Sequence, residues 1–146
     1  MISRSLRGLP LLLLVACSTG TEPSISLWQG TLRPVAPSTI TGPVAAVAQG
    51  GRTRVSVEIR QAVAAQTYAW RLDEGMCPTG GAIQGGVALY PSLTADAART
   101  AKTEAAIPGQ ISSGKRYAVL VLGTGTAADQ TVACADLAET SSESAG

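Results

Sequence analysis

Tyr68-Ala69-Trp70-Arg71-Leu72-Asp73-Glu74-Gly75-Met76-Cys77 is the stretch whose pattern decides the fold. Tyr68, Trp70 and Leu72 alternate with Ala69, Arg71 and Asp73. A period of two puts three large apolar side chains on one face of a strand and a charged pair on the other. Glu74-Gly75 then turns the chain into Met76-Cys77-Pro78. Far downstream, Thr131-Val132-Ala133-Cys134-Ala135-Asp136-Leu137 has the same short-strand character and a Cys of its own. The two segments are expected to be strands, or strand ends, of one β-sandwich.

The neighbouring segments agree. Val55, Val57 and Ile59 alternate with Arg54, Ser56, Glu58 and Arg60, which marks a half-buried strand with β-branched residues inside. Gln49-Gly50-Gly51 before it is a turn of hairpin type. Tyr117 to Leu122 is apolar throughout, as a central strand covered on both faces is. Ile25–Leu32 (broken near Gly30), Val44–Ala48, Val87–Tyr90 and Arg99–Ile107 complete the expected set. Gln61–Gln66 and Thr79–Gly86 read as connections, and Leu93–Ala98 as a turn. The result is an all-β Greek-key sandwich or flattened barrel of about seven or eight short strands. The alternative is an α+β domain with helices at residues 61–66 and 95–106.

The chain opens with Arg4 and Arg7 and no acid, followed by the short apolar run Leu9–Ala16. That run falls well below the roughly 20 residues a membrane span needs. Leu14-Val15-Ala16-Cys17 resembles the lipobox of bacterial lipoproteins, in which a Leu and a small residue precede a Cys that is lipidated and becomes the first residue. The alternative is an ordinary cleaved signal peptide that contains a Cys. The resemblance implies residues 1–16 as signal peptide, Cys17 as the lipidation site, residues 17–24 as a flexible tether, a β domain over 25–137 and a disordered tail over 138–146. Each buried CH₂ of an acyl chain contributes about 0.8 kcal/mol, so a multiply acylated Cys17 holds the protein on a membrane without crossing it. Ser18 after the Cys favours the periplasmic side of an outer membrane in enterobacterial sorting.

Removal of residues 1–16 leaves one domain of about 130 residues, enough to bury a core. Its formal charge is about −1, and no basic stripe supports nucleic-acid binding. With Cys17 assigned to lipid, Cys77 and Cys134 are left as a disulfide pair in an oxidising compartment, closing a loop of about 57 residues. The alternative is two buried free thiols.

The sequence contains no His. Ser-His-Asp and Cys-His catalysis and imidazole metal sites are thereby excluded. The Gly-Gly pairs at 50–51, 80–81 and 85–86 lack the spacing of a phosphate-binding loop. The remaining candidates are acids. If Cys134 is tied to Cys77, Asp136 comes near Asp73 and Arg71, as a carboxylate pair for a hard cation or for acid and base work. The alternative is a surface ion network, with Arg71 and Asp73 as a local pair. Leu120 and Leu122 would serve a partner-binding surface if exposed. No cofactor or metal is expected.

Ala69–Cys77 resembles the copper/zinc superoxide dismutase strand that reads His-x-His, then acid, Gly and Cys. Val132-Ala133-Cys134-Ala135-Asp136-Leu137 resembles the closing strand of that family, whose Val-Ala-Cys supplies the other half of its disulfide. Val87–Leu93 and Tyr117–Leu122 are similar to segments of shorter bacterial relatives, so the likeness spans most of residues 42–137. It implies an eight-stranded Greek-key barrel and a structural disulfide. The two metal-binding His positions fall on Arg71 and Asp73, and a later one on Leu122. Arg is always cationic and donates without accepting, so the expectation is a non-catalytic module. It binds no copper, and its ligand or partner is not named by the sequence. A carboxylate enzyme built on Asp73 and Asp136 is the competing expectation.

Overall fold

The computed structural model describes Cys17, Gly20 and residues 24–144, with side chains to Thr140. Most of the expected signal peptide and tether therefore lies outside the described residues. Ten strands follow in chain order: β1 (Ser24–Pro34), β2 (Gly42–Gln49), β3 (Arg52–Ile59), β4 (Thr67–Tyr68), β5 (Trp70–Met76), β6 (Gly80–Ile83), β7 (Leu93–Thr94), β8 (Ala101–Pro108), β9 (Tyr117–Leu122) and β10 (Thr131–Ser144). Eight of them form one antiparallel sheet in the order β6-β5-β9-β10-β1-β2-β3-β8, and β4 pairs with β7. The three-strand meander β1–β3 is followed by a crossing to β5, a return to β8 beside β3, and a second crossing that sets β9 between β5 and β10. This is the all-β Greek-key architecture that the alternation implies. No α-helix occurs among the described residues, and the strand expected at Arg99–Ile107 is β8, in the stretch the α+β alternative would make a helix.

The sheet curls so that both halves share a core. Val55, Val57 and Ile59 of β3 are fully buried with Trp70 and Leu72 of β5 and Val119 and Val121 of β9. Trp70 is fixed from two sides: its indole N–H donates to the Pro91 carbonyl at 2.7 Å, and the Tyr90 ring meets it edge-on with centroids 5.0 Å apart. Such a pair adds about 0.5–1.5 kcal/mol to its area burial. β9 is buried from Tyr117 to Val121 because its two faces serve two cores. Tyr117, Val119 and Val121 face the main one, while Ala118, Leu120 and Cys134 form a second, small one on the outside.

Several boundaries differ from expectation. Residues 138–144, expected as a frayed tail, continue β10 and pair with Ser24–Gln29 of β1. The start of β1 needs a ladder partner on the side away from β2, and backbone pairing asks nothing apolar of a Ser- and Glu-rich segment. Gly30 does not break β1. It lies where a Cβ would come within 2.6 Å of the Asp136 carbonyl, so the glycine lets β10 pass close. The Thr79–Gly86 loop contains β6, because a three-residue turn at Cys77–Thr79 returns the chain along β5. The Leu93–Ala98 turn begins with β7, which pairs with β4. Val87–Tyr90 is not a strand. Val87–Leu89 is a 3₁₀ turn with Val87 exposed, held by the Tyr90 hydroxyl donating back to the Gln84 carbonyl.

Candidate functional site

β5, β9 and β10 lie side by side, and their register sets the site. Leu120 faces Arg71 on one side and Cys134 on the other; Ala118 likewise faces Asp73 and Asp136. Partners in register point to the same face, so Arg71, Asp73, Cys134 and Asp136 all belong to the outer face of the curled sheet. The β5–β6 hairpin reaches over this face. Its turn carries Cys77 across β9 to a disulfide with Cys134, with Cα atoms 5.7 Å apart. Cys77 also donates its backbone N–H to Asp136 Oδ1 at 2.9 Å.

The reach of the hairpin corrects the outward, solvent-facing placement of Asp73. Its side chain is 0% exposed, while Arg71 remains partly exposed. Alternation does set Asp73 opposite to Leu72. What the alternation does not contain is the hairpin end folding back over it. Arg71 Nε lies 3.0 Å from Asp73 Oδ1 and donates a hydrogen bond to Oδ2 at 3.2 Å. The Gly81 N–H donates to the same Oδ2 at 3.2 Å. Oδ1 has no hydrogen-bond partner. The carboxylate is thus held by one cation on its own strand and one amide of the strand that covers it.

Gly80 and Gly81 are the residues that sequence reasoning missed. Gly80 has φ of +70°, and a Cβ there would stand 2.3 Å from Asp73 Oδ2 and 2.9 Å from a Leu120 methyl. Gly80 is required because the backbone passes directly over a buried carboxylate, and Gly81 because a Cβ there would run into the Glu74 backbone carbonyl. The clue available was a Gly pair beginning three residues past the Cys.

Asp136, by contrast, is exposed. It lies on the wall of a cleft of about 410 Å³, shared with Arg33, Pro34, Cys77, Pro78 and Cys134. Asp73 does not reach that cleft. Two strand spacings, about 9–10 Å, separate the backbones of the two acids, and Ala118 fills the place between. Leu120 is fully buried beneath the hairpin and offers no partner surface, and Leu122 is half-buried. Among the described residues, no three His, Cys, Asp or Glu side chains gather as a metal set. Cys17 is exposed and unbonded.

A second cleft, of about 360 Å³, opens at the end of the sheet between Ile40, Val63, Gln66, Tyr68, Thr124 and Val132. Its lining is neutral throughout.

No model of a known protein family matches the chain, and no curated protein matches it.

Proposed function

We infer that the protein is a lipid-anchored envelope protein whose domain is a non-catalytic, superoxide-dismutase-like β-sandwich serving as a binding or structural module. The observation that carries this reading is the Arg71–Asp73 pair. At the strand positions where the resemblance calls for two imidazoles, a guanidinium is locked to a carboxylate beneath the β5–β6 hairpin. A buried carboxylate held by a partly exposed guanidinium serves to close the hairpin over the sheet, and the cation repels a metal. The eight-stranded Greek-key sheet and the disulfide between the two Cys segments are what the resemblance implies, and they support the scaffold part of the reading. The wide separation of Asp73 from Asp136 weighs against a shared carboxylate site.

The lipobox Leu14-Val15-Ala16-Cys17 supports attachment to a bacterial membrane, on the periplasmic side of the outer membrane where there are two. Mass spectrometry of the protein taken from membranes tests this half. The expected mass starts at Cys17, carries acyl chains and lacks the two protons of the Cys77–Cys134 bond. A chain that starts elsewhere without lipid overturns the anchor. Copper titration with a superoxide assay tests the other half. The expected outcome is no tight uptake and no turnover above a denatured control, and turnover overturns the non-catalytic reading.

A further inference from the structure

The outer face of the β1–β2–β3–β8 half has its own pattern. Its first cross-strand row is Ile25, Gln49, Arg52 and Pro108, and its second is Leu27, Val47, Arg54 and Ala106. Leu27 and Val47 are 36% and 37% exposed register partners, two of the few large apolar side chains that the described residues leave open. Beside them a shallow hollow of about 320 Å³ is walled by Val47, Gln49, Arg52 and Arg54. The acids of these four strands, Glu104 and Glu58, stand in the rows beyond. Glu58 is opposite the exposed Lys102, so the rows beyond mix both signs, whereas the end with Arg52 and Arg54 holds two guanidinium groups and no acid of these four strands. Glu143 is in register with Ile25 on β10, across the sheet from Arg52. Arg54 reaches back to Glu104 at 3.1 Å, but both side chains are more than half exposed. Such a pair exchanges readily for another anion.

The cationic end is also the end where the chain enters the domain. Ser24 is seven residues after Cys17, and a fully extended segment of that length spans about 25 Å at most. Ile25 opens the same row that holds Arg52, two strands away, or about 9–10 Å. An acylated Cys17 thus keeps this face within reach of lipid headgroups. Exposed Leu and Val beside Arg is the composition that sits in the headgroup region of an anionic leaflet.

We propose that the outer face formed by Ile25, Leu27, Val47, Arg52 and Arg54 docks on the anionic phospholipid surface in which the Cys17 anchor sits, laying the domain down on the membrane. This rests on the lipid-anchor reading above. The face supplies the apolar contact and the two guanidinium groups bind lipid phosphates.

The test is hydroxyl-radical footprinting of the acylated full-length protein, in detergent and on vesicles of phosphatidylcholine with or without about 30 mol% phosphatidylglycerol. Labelling of Leu27 and Val47 is expected to fall about threefold or more on the anionic vesicles, while Met76 and Val87 stay as labelled as in detergent. The R52Q/R54Q double variant, altered only at exposed positions, is expected to stay vesicle-bound through its acyl chains and to lose the protection. Acylated protein that floats with vesicles yet leaves Leu27 and Val47 fully labelled overturns the docking face and leaves the anchor standing. Protection that is equal on neutral vesicles and grows with protein density assigns the face to a second copy and overturns the proposal. Protein without acyl chains that does not float overturns the anchor and the docking together.

Discussion

Arg71 and Asp73, two residues apart on β5, form an ion pair at 3.0 Å with Asp73 wholly buried and Arg71 one-third exposed. The pair is asymmetric. The carboxylate has lost its water, and its Oδ1 has no hydrogen-bond partner, so the guanidinium carries most of its compensation. Removing one member of such a pair costs far more than removing both, because the survivor is left as an uncompensated buried charge.

Arg71→Gln is therefore expected to destabilise the domain by roughly 3–5 kcal/mol, read from the shift in urea midpoint at unchanged slope. The Arg71→Gln/Asp73→Asn double variant is expected to recover much of that loss. The double-mutant cycle should give a coupling of about 1–3 kcal/mol, and additive effects would show that the pair holds nothing.

The disulfide acts on the same hairpin from its tip. Its loop of 57 residues corresponds to about 4 kcal/mol of unfolded-state entropy in the chain-closure model. Cys77→Ser/Cys134→Ser is expected to lose roughly 2–4 kcal/mol of this in thermal or urea unfolding. Footprinting should also find Leu120, fully buried in the intact protein, newly labelled. A variant whose Leu120 stays protected would mean that the Arg71–Asp73 pair alone keeps the hairpin down.

Gly80 offers a sharper steric test. Its φ of +70° and the 2.3 Å approach of a built Cβ to Asp73 Oδ2 combine backbone strain with a clash against a buried carboxylate. Gly80→Ala is expected to cost more than the roughly 1 kcal/mol that positive φ alone takes. Gly50→Ala, at a positive-φ turn with nothing near its Cβ, serves as the control and should cost only that backbone amount. Equal losses at both would remove the clash from the account.

What the sequence discloses and what it conceals divide along one physical line. Val55-Val57-Ile59 and Tyr68-Trp70-Leu72 reveal their strands because burial on one face imprints a period of two. Tyr117–Leu122 reveals burial on both faces in the same way. Gly80–Ile83 and Ala138–Ser144 hide theirs, since these segments join the ladder through backbone groups and every residue supplies those. Asp73 is the instructive case at the site. Its face is legible from alternation, but its burial is produced by a hairpin folding back over β9 and fastened to a residue 57 positions away. Val87–Tyr90 misleads in the opposite direction: an apolar run flanked by Gly and Pro has strand composition, yet the Tyr90 ring is drawn onto Trp70 and the turn tightens around it.

Tyr90 gives the fold a pH signature at the alkaline end. Burial pushes its phenol from the ordinary 10.0 up to about 12, a backbone hydrogen bond at Leu72 pulls it partly back, and the Asp73 charge adds to the rise. The sign follows from linkage. The unfolded chain ionises this phenol near 10 while the folded chain keeps it neutral, so its contribution is full below pH 10 and is lost as pH rises to about 12. The total change is about 2–3 kcal/mol. Tyr90→Phe removes the titration together with the hydrogen bond to the Gln84 carbonyl. The variant is expected to be less stable than wild type at pH 7 by roughly 1 kcal/mol, because Gln84 loses its donor. Between pH 10 and 12 the gap should close and then reverse, as only the wild type spends stability on ionising the phenol. Parallel stability curves for the two proteins across that range would place the alkaline transition elsewhere than at Tyr90.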